Sequence, residues 1–178
     1  MSARAGFSAS RPALPTVSLL PWLLAAALLF AGCATRTTVP EPPRAPLVLG
    51  DSEKGREVVM YAFGMIDIGY RFGGRNPDSG MDCSGMVSYI YQQVTGFRLP
   101  HNAAQIARLA RPVERADVRP GDLLFFNTRN KPFSHVAIYV GDDRFVHAPS
   151  RNGRIQISRL TERYYADRFE TARTLLSD

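Results

Sequence analysis

The chain has 178 residues, with 22 Lys and Arg against 16 Asp and Glu for a formal net charge of +6. That length suits one domain with a sizeable core plus an accessory segment, and leaves little room for two globular domains. The basic residues are scattered among acids, with no basic run or aromatic-interleaved motif to point to nucleic acid. The only two cysteines, Cys33 and Cys83, lie in unlike contexts that argue against a disulfide or a multi-cysteine metal framework.

Residues 1–18 carry Arg4 and Arg11 and no acid, and Trp22 to Ala31 is an uninterrupted apolar run. Ten apolar residues are too few for a membrane span, which needs about 20, so the pattern is that of an export signal. Its end, Leu29-Phe30-Ala31-Gly32-Cys33, resembles the lipobox of bacterial lipoproteins, with Phe30 where Leu is usual. The resemblance implies a signal peptide over 1–32 and a lipidated Cys33 as the mature N-terminus. Ala34, in place of Asp, implies sorting to the outer membrane, facing the periplasm. Without residues 1–33, 20 basic residues face 16 acidic ones, an ordinary surface charge of +4. Residues 33–50 hold Pro40, Pro42, Pro43 and Pro46, and are expected to form an extended tether. The folded domain is expected over 51–178.

In that domain Val58, Val59, Ala62, Phe63 and Ile66 recur at helical spacing, predicting a helix from Glu53 to Ile66. Gly69 to Gly80, with four glycines, Asn76-Pro77 and Asp78-Ser79, predicts a long loop without helix or strand. Cys83 to Val94 predicts a second helix burying Met86, Val87, Ile90 and Tyr91, with Asp82 as N-cap and Gly96 as stop signal. A short third helix is expected from Asn102 to Leu109. After the Arg119-Pro120-Gly121-Asp122 turn, strands are predicted at Leu123 to Phe126, Ser134 to Val140, Arg144 to Ala148, Arg154 to Ile157 and Phe169 to Leu175, with a short helix near Thr161 to Tyr165. Helices followed by a strand meander give an α+β fold with an antiparallel sheet.

Cys83 therefore stands where a glycine-rich loop meets a helix start. It is either a small buried core residue or a nucleophile. Unpaired N–H groups at a helix start favour a thiolate and can donate to an oxyanion. Of the three histidines, His135 and His147 lie twelve residues apart across the Gly141-Asp142 turn, so one hairpin can bring both to one sheet face. A histidine is the natural base for a thiol, and a second polar group fixes its tautomer. Cys83, His135 and His147 are also enough ligands for a catalytic zinc, an alternative that the peptidase pattern below outweighs.

The ordered motifs Tyr70-Arg71-Phe72-Gly73-Gly74, Met81-Asp82-Cys83-Ser84-Gly85, Arg119-Pro120-Gly121-Asp122-Leu123-Leu124-Phe125-Phe126, Ser134-His135-Val136-Ala137-Ile138-Tyr139-Val140-Gly141 and Phe145-Val146-His147-Ala148 resemble those of the NlpC/P60 family of papain-like cysteine peptidases. The resemblance spans nearly all of residues 57 to 175, and is specifically to the lipoprotein members that trim peptidoglycan. It implies a papain-like fold in which N-terminal helices pack on an antiparallel sheet. It also implies a Cys-His-His triad with Cys83 as nucleophile, His135 as base and acid and His147 as orienting residue. Tyr70 is implied as a hydroxyl near the nucleophile that serves the oxyanion or substrate, and Asp82 and Ser84 flank Cys83 in the same oxyanion and substrate region. The implied activity is cleavage of stem peptides between D-glutamate and diaminopimelate through a thioester, with no cofactor and no metal. An amidase or acyltransferase of the same fold and a non-catalytic peptidoglycan-binding adaptor are the alternatives. The motifs name no regulatory partner. His101-Asn102-Ala103 departs from the family's Arg-Thr-Ser run and leaves His101 without a role, at the surface or groove rim.

Overall fold

The computed structural model describes residues 53–151 and 153–176. Cys33 and the segments expected to be a signal and a tether lie outside the described residues. Helices α1 (Glu53–Gly64), α2 (Cys83–Thr95) and α3 (Ala103–Leu109) come first, with a two-stranded ribbon of β1 (Arg75–Asn76) and β2 (Gly80–Met81) between the first two. There follow β3 (Arg111–Val113), a 3-10 turn at Arg115–Asp117, β4 (Leu123–Phe126), β5 (His135–Gly141), β6 (Arg144–His147), β7 (Gln156–Arg159), helix α4 (Arg163–Ala166) and β8 (Phe169–Thr174). The six later strands form one antiparallel sheet in the order β3-β8-β4-β5-β6-β7. This is the expected α+β architecture.

Burial on both faces explains the apolar run Leu123-Leu124-Phe125-Phe126, all four residues of which are fully buried. Leu123 and Phe125 join Val136, Ile138, Val140 and Val146 under the helices. There they meet Val58, Val59 and Ala62 of α1, Met86, Val87 and Ile90 of α2 and Ile106 of α3. Leu124 and Phe126 point the other way, with Ala137, Phe145, Leu160, Tyr165 and Ala172. Period-2 alternation thus serves two cores at once.

Three expectations need correction. The 69–80 segment is not strandless: Asn76 Oδ1 accepts from both the amide and the hydroxyl of Ser79, closing a turn that pairs Arg75 with Met81 and Asn76 with Gly80. The strand expected at Arg154 to Ile157 lies at Gln156–Arg159, because Ile155 bonds through its backbone to Asp67 and Ile68, and Arg154 bridges Gly69. The meander is also broken. β8 returns past α4 to insert between β4 and β3, whose Pro112 is tolerated because β3 is an edge strand.

Candidate active site

The helix that presents Cys83 is capped at both ends. Asp82, in an extended conformation, accepts from the Gly85 amide at 2.7 Å and from the Ser84 hydroxyl at 2.9 Å through Oδ1, and from the Gly73 amide at 2.9 Å through Oδ2. Gly96, at φ 75°, closes the C-terminus by donating to the Gln92 carbonyl. A Cβ at Gly85 would overlap the Gly74 carbonyl oxygen, so glycine there lets the loop sit on the first turn. The carboxylate of Asp82 and the hydroxyl of Ser84 are thus spent on holding this turn. The hydroxyl of Tyr91, on α2, donates to the Gly121 carbonyl at 2.7 Å and locks the helix to the turn before β4.

Cys83 is 8% exposed. Burial pushes its thiol above the ordinary value, against the backbone amides of Val136 and Ser84, which bond to the sulfur and favour the anion. The helix-start effect expected from the sequence is therefore present and outweighed by desolvation. The Val136 amide belongs to the peptide joining it to His135, so the sulfur lies against the start of β5.

Pairing of Ile138 with Val146 and Tyr139 with Phe145, continued along the hairpin, puts His135 and His147 on one sheet face, as expected. That face is the one closed by α4. His135 Nε2 and His147 Nδ1 stand 3.0 Å apart with the rings near perpendicular, at 89°. The other ring nitrogen of His147 has two partners that the sequence did not indicate, Ser158 Oγ at 3.1 Å and Tyr165 Oη at 3.3 Å. Phe126, Phe145 and Tyr165 pack around the two imidazoles. Burial in this aromatic box, with Arg129 adding to it, pushes His135 down to about 4, while Asp82 opposes. Burial and then His135 hold His147 well below the usual imidazole range.

Both rings are therefore neutral near pH 7, and the contacts admit two proton arrangements. In one, His147 donates from Nδ1 to His135 Nε2 and accepts at Nε2 from the hydroxyls of Ser158 and Tyr165; in the other, His135 donates from Nε2 to His147 Nδ1, and His147 donates from Nε2 to Ser158. Only the second leaves His135 Nδ1 without a proton, the state that a base at that nitrogen requires.

Tyr70 is half-buried nearby. Its phenol is pushed up by burial first and by Cys83 next, while the nearby Arg129 guanidinium acts in the opposite direction. His101 is exposed at the bend before α3 and is pulled below its usual value by partial burial and by Arg75, against Asp82. Among the described residues, no group of three or more His, Cys, Asp or Glu is placed to hold a metal ion. A cavity of about 490 Å3 opens beside the imidazoles, walled by His135, His147, Ser158 and Tyr165 but not by Cys83.

Residues 68–174 match the NlpC/P60 family profile. The chain is 38% identical over 111 residues to Murein DD-endopeptidase MepH of Escherichia coli (strain K12), covering 61% of this chain and 41% of that protein. It is 41% identical over 109 residues to Gamma-DL-glutamyl hydrolase of Bacillus subtilis (strain 168), covering 61% and 26%. The chain thus spans less than half the length of either relative. Among solved structures it is similar to an NLP/P60 family protein of Staphylococcus aureus subsp. aureus Mu50, with TM-score 0.64 and 29% identity over 72% of this chain and 43% of that one. It is also similar to the NlpC/p60 domain of peptidoglycan hydrolase SagA, with TM-score 0.60 and 28% identity over 68% of this chain and 98% of that one.

Proposed function

The chain belongs to the NlpC/P60 family, and from that premise we propose that it is a peptidoglycan hydrolase, a cysteine-type endopeptidase cutting stem peptides between D-glutamate and diaminopimelate. The observation that carries this function is the 3.0 Å contact of His135 Nε2 with His147 Nδ1, on strands whose first peptide lies against the Cys83 sulfur.

In this mechanism the thiol proton passes to His135 Nδ1 as sulfur attacks the carbonyl carbon, and the carbonyl electrons move to oxygen. The Ser84 amide at the helix start and the Tyr70 hydroxyl are the donors for that oxygen, and Asp82 contributes by fixing the turn. Collapse breaks the C–N bond, His135 returns its proton to the departing amine, and a thioester remains on Cys83. Water, deprotonated by His135, then releases the acid and restores the thiol. His147 keeps His135 in the required tautomer throughout.

The similarity to a murein DD-endopeptidase supports a second cleavage site, the D-alanyl cross-link between stems. We place the domain on the outer membrane, facing the periplasm, through lipid on Cys33 and the proline-bearing tether. The support is the Leu29 to Cys33 sequence, and more than one acyl chain makes such anchoring stable.

The test incubates the full chain with defined cross-linked and uncross-linked muropeptides and identifies products by mass. A new D-glutamate carboxyl supports the first bond, and a new D-alanine carboxyl the second. Cys83→Ala should abolish both, and cleavage retained by pure Cys83→Ala protein overturns the mechanism. Cys33→Ser should move the protein out of the membrane fraction or leave it unprocessed; unchanged mass and fractionation would reject the anchor.

A further inference from the structure

Arg129 lies in the loop between β4 and β5, outside the triad. Asn130 at φ 52° and Phe133 at φ 51° bend this loop back on itself. The Ser134 hydroxyl accepts from the amides of Thr128 and Arg129 at 2.9 and 3.2 Å, and Asn127 Oδ1 accepts from Lys131 at 2.8 Å. Glu170 holds the far side through the Phe133 amide. The loop is thus built to hold one position. From it the Arg129 guanidinium bears on the Tyr70 phenol, favouring its ionised form, and stands 5.9 Å over the ring of Phe72, which is 76% exposed. Its charge reaches Cys83 and His135, acting on the ionisation of both. Among the described residues no carboxylate forms an ion pair with it.

Arg129 also walls the cavity beside the imidazoles, together with Arg151 and Glu162. Which half of a substrate enters follows from proton transfer. The departing amine takes its proton from His135 and must come within about 3 Å of that ring. The half that leaves as the amine therefore sits on the imidazole side of the thiol, where this cavity opens.

Building on the hydrolase function proposed above, we propose that Arg129 is a specificity-determining residue that binds a free carboxylate on the leaving half of the substrate, namely the side-chain carboxyl of a diamino dicarboxylic acid. The Tyr70 phenol and the Phe72 face orient the guanidinium so that its N–H groups point to substrate. A planar fork suits a carboxylate in two-bond geometry, which a lysine ammonium does not reproduce. A carboxamide in the same place offers one acceptor and no charge.

The experiment compares two otherwise identical muropeptides, one with the diaminopimelate side-chain carboxyl free and one with it converted to the carboxamide. Steady-state kinetics are measured on the full chain as wild type, Arg129→Gln and Arg129→Lys, and thermal melts check folding. The wild type should lose about 10- to 100-fold in kcat/KM on amidation, the range for one charge-assisted contact. Arg129→Gln should fall by a similar factor on the free acid and show nearly equal rates on the two substrates; Arg129→Lys should keep part of the preference. Any general effect of the Arg129 charge on Cys83 and His135 acts on both substrates and cancels in their ratio. A wild type that cuts both equally well, or an Arg129→Gln that keeps the full preference, overturns the assignment while leaving the hydrolase intact. A wild type that cuts neither overturns the hydrolase itself.

Discussion

Replacing His147 by three different residues separates its roles. His147 is fully buried, and in the proposed mechanism its Nδ1, 3.0 Å from His135 Nε2, is the acceptor for that nitrogen. His147→Ala strands that donor and empties the space beneath Phe145 and Tyr165, so stability should fall by roughly 2–4 kcal/mol. The larger effect is on chemistry. Without its acceptor, the His135 proton is free to sit on Nδ1, which blocks the base, and a wrong tautomer costs about 1,000- to 10,000-fold in kcat. Asparagine places its Oδ1 at the same branch point as the imidazole Nδ1, whereas glutamine carries its oxygen one carbon further. His147→Asn should therefore recover more of the rate than His147→Gln, and both should exceed His147→Ala. Neither amide restores both bonds to Ser158 and Tyr165, so melting temperatures should stay below wild type. His135→Gln should recover nothing, since an amide cannot carry the proton. The assay is kcat and KM on one muropeptide across pH, alongside thermal melts. If His147→Ala were as active as His147→Asn, or His135→Gln as active as His147→Gln, the assignment of base and orienting residue would be refuted.

Two further outcomes follow from the burial of the site. His135 titrates near 4 in the folded chain against about 6.5 unfolded, so the unfolded state binds more protons as pH falls between those values. The contribution is intact above 6.5 and is lost as pH falls through 4, amounting to about 3 kcal/mol. Melts should show this loss, and it should shrink in His135→Gln; an undiminished loss in that variant would refute the linkage. Asp82→Ala removes one acceptor from three donors at the start of α2 and should cost about 1–2 kcal/mol while also lowering kcat, because the turn that presents Cys83 loosens. Denaturant midpoints equal to wild type would contradict that account of the cap.

The parts of the site that were legible were those carried by local pattern. Asp82 before an apolar-periodic run marks a helix start, and two histidines flanking a Gly-Asp turn on alternating strands must share a face. Ser158 was hidden because the alternation of Ile155 and Ile157 reads as the inward face of its strand. In the structure Ile155 belongs to a separate pairing, Ile157 is 42% exposed and Ser158 is the buried residue. Tyr165 reaches His147 from a four-residue helix eighteen positions away, a contact no spacing rule encodes. Arg129 sits in a loop whose conformation depends on side-chain acceptors. β3 was missed because Pro112 argues against a strand until its edge position is known.

The raised thiol bears on how long the protein stays chemically intact. Thiolates, far more than thiols, are the species that peroxides oxidise and that exchange with disulfides. A thiol whose ionisation is disfavoured by burial and which is 8% exposed is a poor target for both. In the proposed mechanism its reactivity arises only when a carbonyl arrives to take up the electron pair as His135 takes the proton. Small alkylating agents should accordingly label Cys83 slowly compared with an exposed helix-start cysteine of ordinary acidity.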